Sequence, residues 1–304
     1  MAQRQQPIRV GIVDEEFPYP ANSGKRLRTL NLIQRLAKTH ELTYVAHQNS
    51  KPGESKVARD YLESIGVKTV EVDRVVPPKS GVAFYSRLFA NLFSKLPYSV
   101  TSHVSEKMKA VLAQVEQESD IQLWHCEWTP YAELFRGWDT RPVVMAAHNV
   151  ESLIWQRYIE SETNMAKRWY IRHQWKKFVQ FERWAFGRVT RTIAVSRPDQ
   201  QLAVEDFGAE NVVVVDNGVD SRKYIASGQR STNTMIFLGS LDWRPNLDGL
   251  QHFIRNAYPK IVQARPDVVF QIVGRNPAKW LVELAEMDPN IELHADVPLS
   301  LIHI

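Results

Sequence analysis

Short apolar runs alternate with helix-patterned segments from one end of this chain to the other, and that rhythm restricts the fold more than anything else in it. Candidate strands fall at 8–13, 42–46, 67–72, 121–125, 143–147, 192–195, 212–215 and 235–238. Helical patterns separate most of them, so each strand has an element that can carry the chain back across the sheet. The expected class is therefore α/β with parallel sheets. No repeat of short period and no low-complexity tract interrupts the pattern.

With 304 residues, 44% of them hydrophobic, the chain can bury a core of two-domain size. The composition places the domains at 1–216 and 234–304, joined by a polar linker at 217–233 that carries Ser227, Gly228, Ser231 and Thr232. The second domain opens on a clear unit: an apolar run from Met235 to Leu238, Gly239, then a helix starting near Pro245 and Asn246. Leu247, Leu250, Phe253, Ile254, Ala257 and Ile261 give that helix one apolar stripe. Strand, glycine turn and helix in this order open a Rossmann-like domain, whose helix N-terminus favours anions.

Several function classes drop out early. No run of eighteen apolar residues offers a membrane span, and the N-terminus leads straight into a strand, so the cytoplasm is the expected compartment. The single cysteine, Cys126, leaves no partner for an intrachain disulfide and no Cys-cluster metal site. A formal charge of +4 fits anionic small molecules, an acidic membrane surface or nucleic acid without choosing among them. A nicotinamide or flavin oxidoreductase is demoted, because Gly-x-Gly-x-x-Gly is missing after both 8–13 and 235–238.

Ligands of open α/β sheets bind at the carboxyl ends of the strands, and three loops there are chemically loaded. After the first strand, Pro18 and Pro20 keep the chain extended until Asn22 or Ser23 can cap a helix. The first turn of that helix holds Gly24, Lys25, Arg26 and Arg28. Cations there oppose the helix dipole, so either an anionic ligand removes the conflict or the charges are simply solvated. Glu127 follows the strand at 121–125, and His148, Asn149 and Glu151 follow the strand at 143–147. A lone histidine is more often packed than ligating, yet here the chain turns polar just where it leaves the core, which favours a ligand role for His148.

From 151 to 186 the chain reads as one long or broken helix in which Trp155, Trp169, Trp175, Phe178 and Trp184 are interleaved with Lys167, Arg168, Arg172 and Lys176. Aromatics facing the core with charges facing water is the plainest reading; a patch for anionic membrane or stacked single-stranded nucleic acid is the sharper one. The stretch 84–95 is similarly amphipathic and would either dip into a membrane or cover the sheet.

Taken in order, Phe17-Pro-Tyr-Pro with Asn22-Ser-Gly24 and Arg28, His148-Asn-Val-Glu151, Ala194-Val-Ser196, Asn217-Gly-Val-Asp220, Phe237-Leu-Gly239 with Arg244-Pro-Asn246, and Ile272-Val-Gly274 resemble the family-4 glycosyltransferases. No one element is specific; the ordered set is. The resemblance implies a GT-B fold of two Rossmann-like domains facing across a cleft. It implies transfer of a sugar, with retention, from a nucleotide-sugar donor to a glycan or lipid-linked acceptor, with no resident cofactor and no required metal. His148 then matches the histidine near the transferred sugar, Gly24 the loop glycine near the donor phosphates, and Gly239 the glycine opening the second domain. Arg244 and Arg275 are implied diphosphate partners, while Lys25, Arg28, Glu127, Asn149 and Glu151 complete the expected substrate contacts.

Members of this family normally continue through further βα units, including a Glu-rich donor motif, and the pattern after about Val297 departs from theirs. The expectation is an incomplete second domain and a weak or inactive enzyme, cytoplasmic or peripheral at the inner face of an anionic membrane. The alternative is a non-catalytic protein that binds a sugar nucleotide or nucleic acid, with nucleic acid the less expected partner.

Overall fold

The computed structural model describes residues 6–218 and 232–297, and the chain divides into two compact units, Met1–Gly218 and Val219–Ile304. Most of the expected linker, and the stretch after Val297, lie outside the described residues.

The N-terminal unit runs β1 (Arg9–Asp14), α1 (Gly24–Leu36), β2 (Glu41–Gln48), α2 (Glu54–Ser64), β3 (Lys68–Val75), α3 (Val82–Asn91), α4 (Tyr98–His103) and α5 (Glu106–Ser119). It continues through β4 (Leu123–Cys126), a 3-10 turn at Thr129–Phe135, β5 (Val143–Ala147), α6 (Glu151–Ser161), α7 (Met165–Arg188), β6 (Arg191–Ala194), α8 (Arg197–Glu205) and β7 (Val212–Val214). The strands form one parallel sheet in the order β3-β2-β1-β4-β5-β6-β7. The order reverses beside β1, between β1 and β4, which is where a doubly wound sheet opens a crevice at its carboxyl edge.

Strand periodicity divides the core into two layers. Val10, Ile12, Leu42 and Tyr44 pack with Leu30 and Ile33 of α1 and Leu62 of α2. Val13, Val45, Trp124 and Met145 face the other side, onto Met108 and Leu112 of α5 and Phe181 and Ala185 of α7. Gly11 sits where a side chain has no room, because an added Cβ would press into the fully buried ring of Trp124. Gly11→Ala should cost about 2 kcal/mol of stability, since the indole is held on all sides and overpacked cores relax poorly. Urea unfolding of the variant measures it, and an unchanged midpoint would mean the ring moves freely.

The C-terminal unit comprises β8 (Thr234–Leu238), α9 (Arg244–Asn256), α10 (Tyr258–Ala264), β9 (Val269–Gly274), α11 (Lys279–Met287) and β10 (Ile291–Ala295). Its described strands are parallel in the order β10-β9-β8. The single helical stripe expected through Ile261 is in fact two helices. Pro259 lies in the first turn of α10, a position where its missing N–H costs nothing and from which it cannot extend the preceding helix. Of the two forms expected at 151–186, one long helix or a broken one, the structure has the broken one: Asn164, whose side chain accepts from the backbone N–H of Ala166 and Lys167, starts α7 afresh.

Among the described residues no helix is long and apolar enough to cross a membrane.

Candidate active site

The carboxyl ends of β1, β4 and β5 bring a compact polar cluster together. Asp14 closes β1 and is buried; its Oδ1 accepts from Lys25 Nζ at 2.5 Å and its Oδ2 from the Tyr44 hydroxyl at 2.7 Å. Burial alone would lower the Lys25 ammonium's pKa, but Asp14 and Glu15 outweigh it and hold the group above the usual lysine value. Glu15 lies 3.7 Å from Lys25 and 3.4 Å from His103 Nε2. Burial opposes its ionisation, while the His103 hydrogen bond and the Lys25 charge more than compensate and depress the carboxyl well below its ordinary range.

Glu127, just past β4, is the centre of the second half. Its Oε1 lies 3.3 Å from His125 Nε2, and its Oε2 lies 3.2 Å from His148 Nε2. Burial again works against the charge, but the two imidazole hydrogen bonds prevail and hold the carboxyl far below the usual glutamate value. His148 is thereby aimed by a buried carboxylate while its ring keeps partial exposure, the arrangement that sets a tautomer and fixes a ring plane.

The loop carrying His148 is tied down behind. Trp128 Nε1 donates to Glu151 Oε1 at 2.8 Å, and burial raises the Glu151 carboxyl above its ordinary pKa. Glu182, reaching over from α7, accepts from the backbone N–H of Glu151 at 2.6 Å and of Ser152 at 3.1 Å. It therefore caps α6 from outside the helix, satisfying donors that Val150 at the N-cap position leaves open. Fully buried, its carboxyl is pushed up to about 7 by desolvation, partly offset by the Ser152 hydrogen bonds.

Of the residues singled out in the sequence, the structure groups Lys25, Glu127, His148 and Glu151, with Gly24 opening α1 beside Lys25 and Asn149 exposed in the His148 loop. Arg28 leaves this group, donating instead to Val215 O, Asp216 O and Asn217 Oδ1 at 2.9, 3.2 and 2.8 Å. Two of the first-turn cations of α1 are therefore neutralised within the fold, and the third meets neutral acceptors. Lys25 is taken by Asp14, Arg26 by Glu16 and Glu54 at 2.5 and 3.0 Å, and Arg28 by the chain near Asn217. Asp14, Glu15, Tyr44, His103, His125 and Glu182 were not singled out. The run Asp14-Glu15-Glu16 at a strand end was a visible signal; His103 and Glu182 reach the site from α4 and α7 and had none.

In the C-terminal unit, Gly239 bonds through its N–H to Val273 O at 3.0 Å, and Leu241 N–H to Arg275 O at 2.9 Å. A Cβ on Gly239 would meet Asn246 Nδ2 at 2.9 Å, and one on Gly274 would strike the Gly239 carbonyl. Gly274 thus serves the close crossing of the β8 and β9 ends, while Gly239 leaves room for the Asn246 side chain and the Phe237 ring, internal needs that exist with or without a ligand. Arg275 is exposed, and Arg244 at the start of α9 lies 3.7 Å from Asp248.

A cavity lined by Trp138, Arg141, Val143 and Arg188 lies at the opposite, amino end of β5 and shares no residue with the polar cluster.

Residues 24–223 match the family model described as Glycosyltransferase Family 4. The chain belongs to that family. The match spans α1 to β7 and so contains Lys25, Glu127 and His148. A Klebsiella pneumoniae protein described as an uncharacterized 44.6 kDa protein in the cps region is 20% identical over 264 residues, which is 86% of this chain and 64% of that one. Among solved structures, S. aureus TarM superposes with a TM-score of 0.61 at 8% identity, covering 98% of this chain and 78% of TarM. The pneumococcal O-GlcNAc transferase GtfA, solved with UDP and GlcNAc, gives 0.55 at 10% identity, with 98% and 78% covered. At these identities the likeness is one of fold, and the fold is of the GT-B type with Rossmann-like α/β units.

Proposed function

We propose that this family-4 protein transfers a sugar from a nucleotide-sugar donor to a glycan or lipid-linked acceptor with retention of anomeric configuration, and that its N-terminal unit holds the acceptor. The observation that carries this reading is the His148–Glu127 pair, an imidazole aimed by a buried carboxylate at the open edge of the sheet, inside the family match. UDP bound in the pneumococcal relative supports a nucleoside diphosphate as the donor's leaving group, and the cps location of the Klebsiella protein supports a polysaccharide setting.

The charge of the cluster suits the acceptor. Asp14, Glu15, Glu127 and Glu151 outnumber the lysines that act on them, Lys25, which is already paired, and Lys79. Carboxylates accept hydrogen bonds and repel anions, so the matching ligand is a neutral, hydroxyl-rich sugar rather than a phosphate. Donor diphosphate contacts are assigned to Gly239, Arg244 and Arg275 of the C-terminal unit. As the bond to the leaving diphosphate breaks, negative charge grows there, and cations with backbone N–H groups are the effective answer. His148 orients the sugar and hydrogen-bonds its hydroxyls. The family match favours transfer over a non-catalytic binding role.

The test is nucleoside diphosphate release from a panel of sugar nucleotides, with and without neutral and phosphorylated glycan acceptors. Release should depend on a neutral acceptor, and His148→Ala should lower kcat/KM about a hundredfold, the usual cost of losing orientation at the reacting centre. Release that ignores both the acceptor and His148 would refute the assignment.

A further inference from the structure

One face of α3 is uncovered. Tyr85 and Phe89 stand one helical turn apart, Phe93 continues the line, and they are 68%, 65% and 81% exposed. The helix itself is not loose. Phe84 packs edge-on against Tyr98, Arg87 Nε donates to the Tyr98 hydroxyl at 3.2 Å, and Asn91 is gripped by Gln174 and Lys177 of α7. Rings of this size left in water on an anchored helix mark a docking surface.

The start of α7 extends the same surface. His173 Nε2 lies 3.3 Å from Leu92 O at the end of α3, and Trp169, 60% exposed, stacks on the His173 ring. Met165, Trp169, Arg172 and Lys176 recur at helical spacing on one stripe, so the exposed ring is followed along the helix by cations. Charge then selects the occupant. Neither the chain from Arg74 to Ser105 nor that from Thr163 to Phe181 contains an aspartate or glutamate, while Lys95, Lys167, Arg168, Arg172 and Lys176 are all exposed. Aromatic rings for the interface with cations for head groups is the pattern of a surface that rests on lipid. A second copy meeting the same face would set cation against cation.

We infer that α3 and the first half of α7 form a seat for an anionic phospholipid bilayer. It takes the lipid-linked acceptor of the proposed function one step further, yet vesicle binding is read without turnover, so either can fail alone. The full chain is sedimented with vesicles of phosphatidylcholine, with and without phosphatidylglycerol, at low and high salt. Binding should require the anionic lipid and fall with salt. Phe89→Ser with Phe93→Ser should reduce the bound fraction about tenfold or more. Arg168→Glu with Arg172→Glu should remove the preference for anionic vesicles. Both variants should keep the wild-type melting temperature, because the replaced side chains face water. Equal binding to neutral vesicles, or anionic binding that survives both pairs of substitutions, would overturn the proposal. So would a wild-type dimer that Phe89→Ser with Phe93→Ser converts to monomer.

Discussion

Lys25→Met should destabilise the N-terminal unit by about 3 kcal/mol, and adding Asp14→Asn should return more than half of the loss. Removing one partner of a buried pair leaves the other uncompensated, which costs about 3–5 kcal/mol where neither group reaches water. Asp14 is that partner: it is 2% exposed, and with the ammonium gone its carboxylate keeps only the Tyr44 hydroxyl and the Glu15 N–H. The lower end of the range applies because the Lys25 side chain is 28% exposed. An asparagine at 14 keeps an oxygen for those donors and carries no charge, so the double variant loses the pair without orphaning either member. The coupling read from a double-mutant cycle in urea should be about 2 kcal/mol. The same experiment separates two roles for this lysine. A Lys25→Met protein of unchanged stability that fails to bind nucleotide sugar would make Lys25 a ligand residue instead of a structural one.

That lysine also shows where sequence reasoning reaches its limit. The alternating pattern makes the parallel sheet legible because strand and helix periods are local properties of the chain. A cap of α1 at Asn22 or Ser23, which the structure gives to Ser23, and the polar turn after β5 were legible for the same reason. Pairing is not local. Lys25, Arg26 and Arg28 carry the same charge within one turn, yet they end on Asp14, Glu54 and Asn217 respectively, partners set by which elements the topology brings together. A first turn crowded with cations suggested an anion site, and the fold itself supplies carboxylates to Lys25 and Arg26 and neutral oxygens to Arg28. Gly239 repeats the lesson. Its position at a strand end suggested close approach to a ligand, and the structure shows a prior demand, the room that the Asn246 side chain and the Phe237 ring take beside it. The aromatic helix divides between both readings. Phe178, Phe181 and Phe186 enter the core and Trp169 does not, because α7 is covered along its second half and open along its first.

The contribution of Glu182 to stability should rise as pH falls from about 7 to about 4.5. Its ordinary value is 4.5 and its folded value about 7, because burial outweighs the backbone N–H bonds it accepts. Between those two values the folded state binds the extra proton, so stability decreases with rising pH across that window and levels off above it. The separation corresponds to about 3 kcal/mol. Asp14 and Glu151, also raised chiefly by burial, act in the same direction. Glu15 and Glu127 act in the opposite sense: their depressed folded values give stability that is present above the ordinary glutamate range and lost only as pH falls below it. His47 also acts in that opposite sense, because burial holds its imidazole at about 4 against an ordinary 6.5, so its contribution is lost as pH falls between those values. The deciding measurement is the urea stability of wild type and Glu182→Gln at about pH 5 and about pH 8. Glutamine can accept from one of the two N–H groups and must turn its own amide NH₂ toward the other, a cost that is the same at both pH values. Against that fixed offset the variant should gain about 3 kcal/mol relative to wild type on going to the higher pH. A difference that does not move with pH would mean that Glu182 ionises normally, and that the cap on the His148 loop is charged throughout.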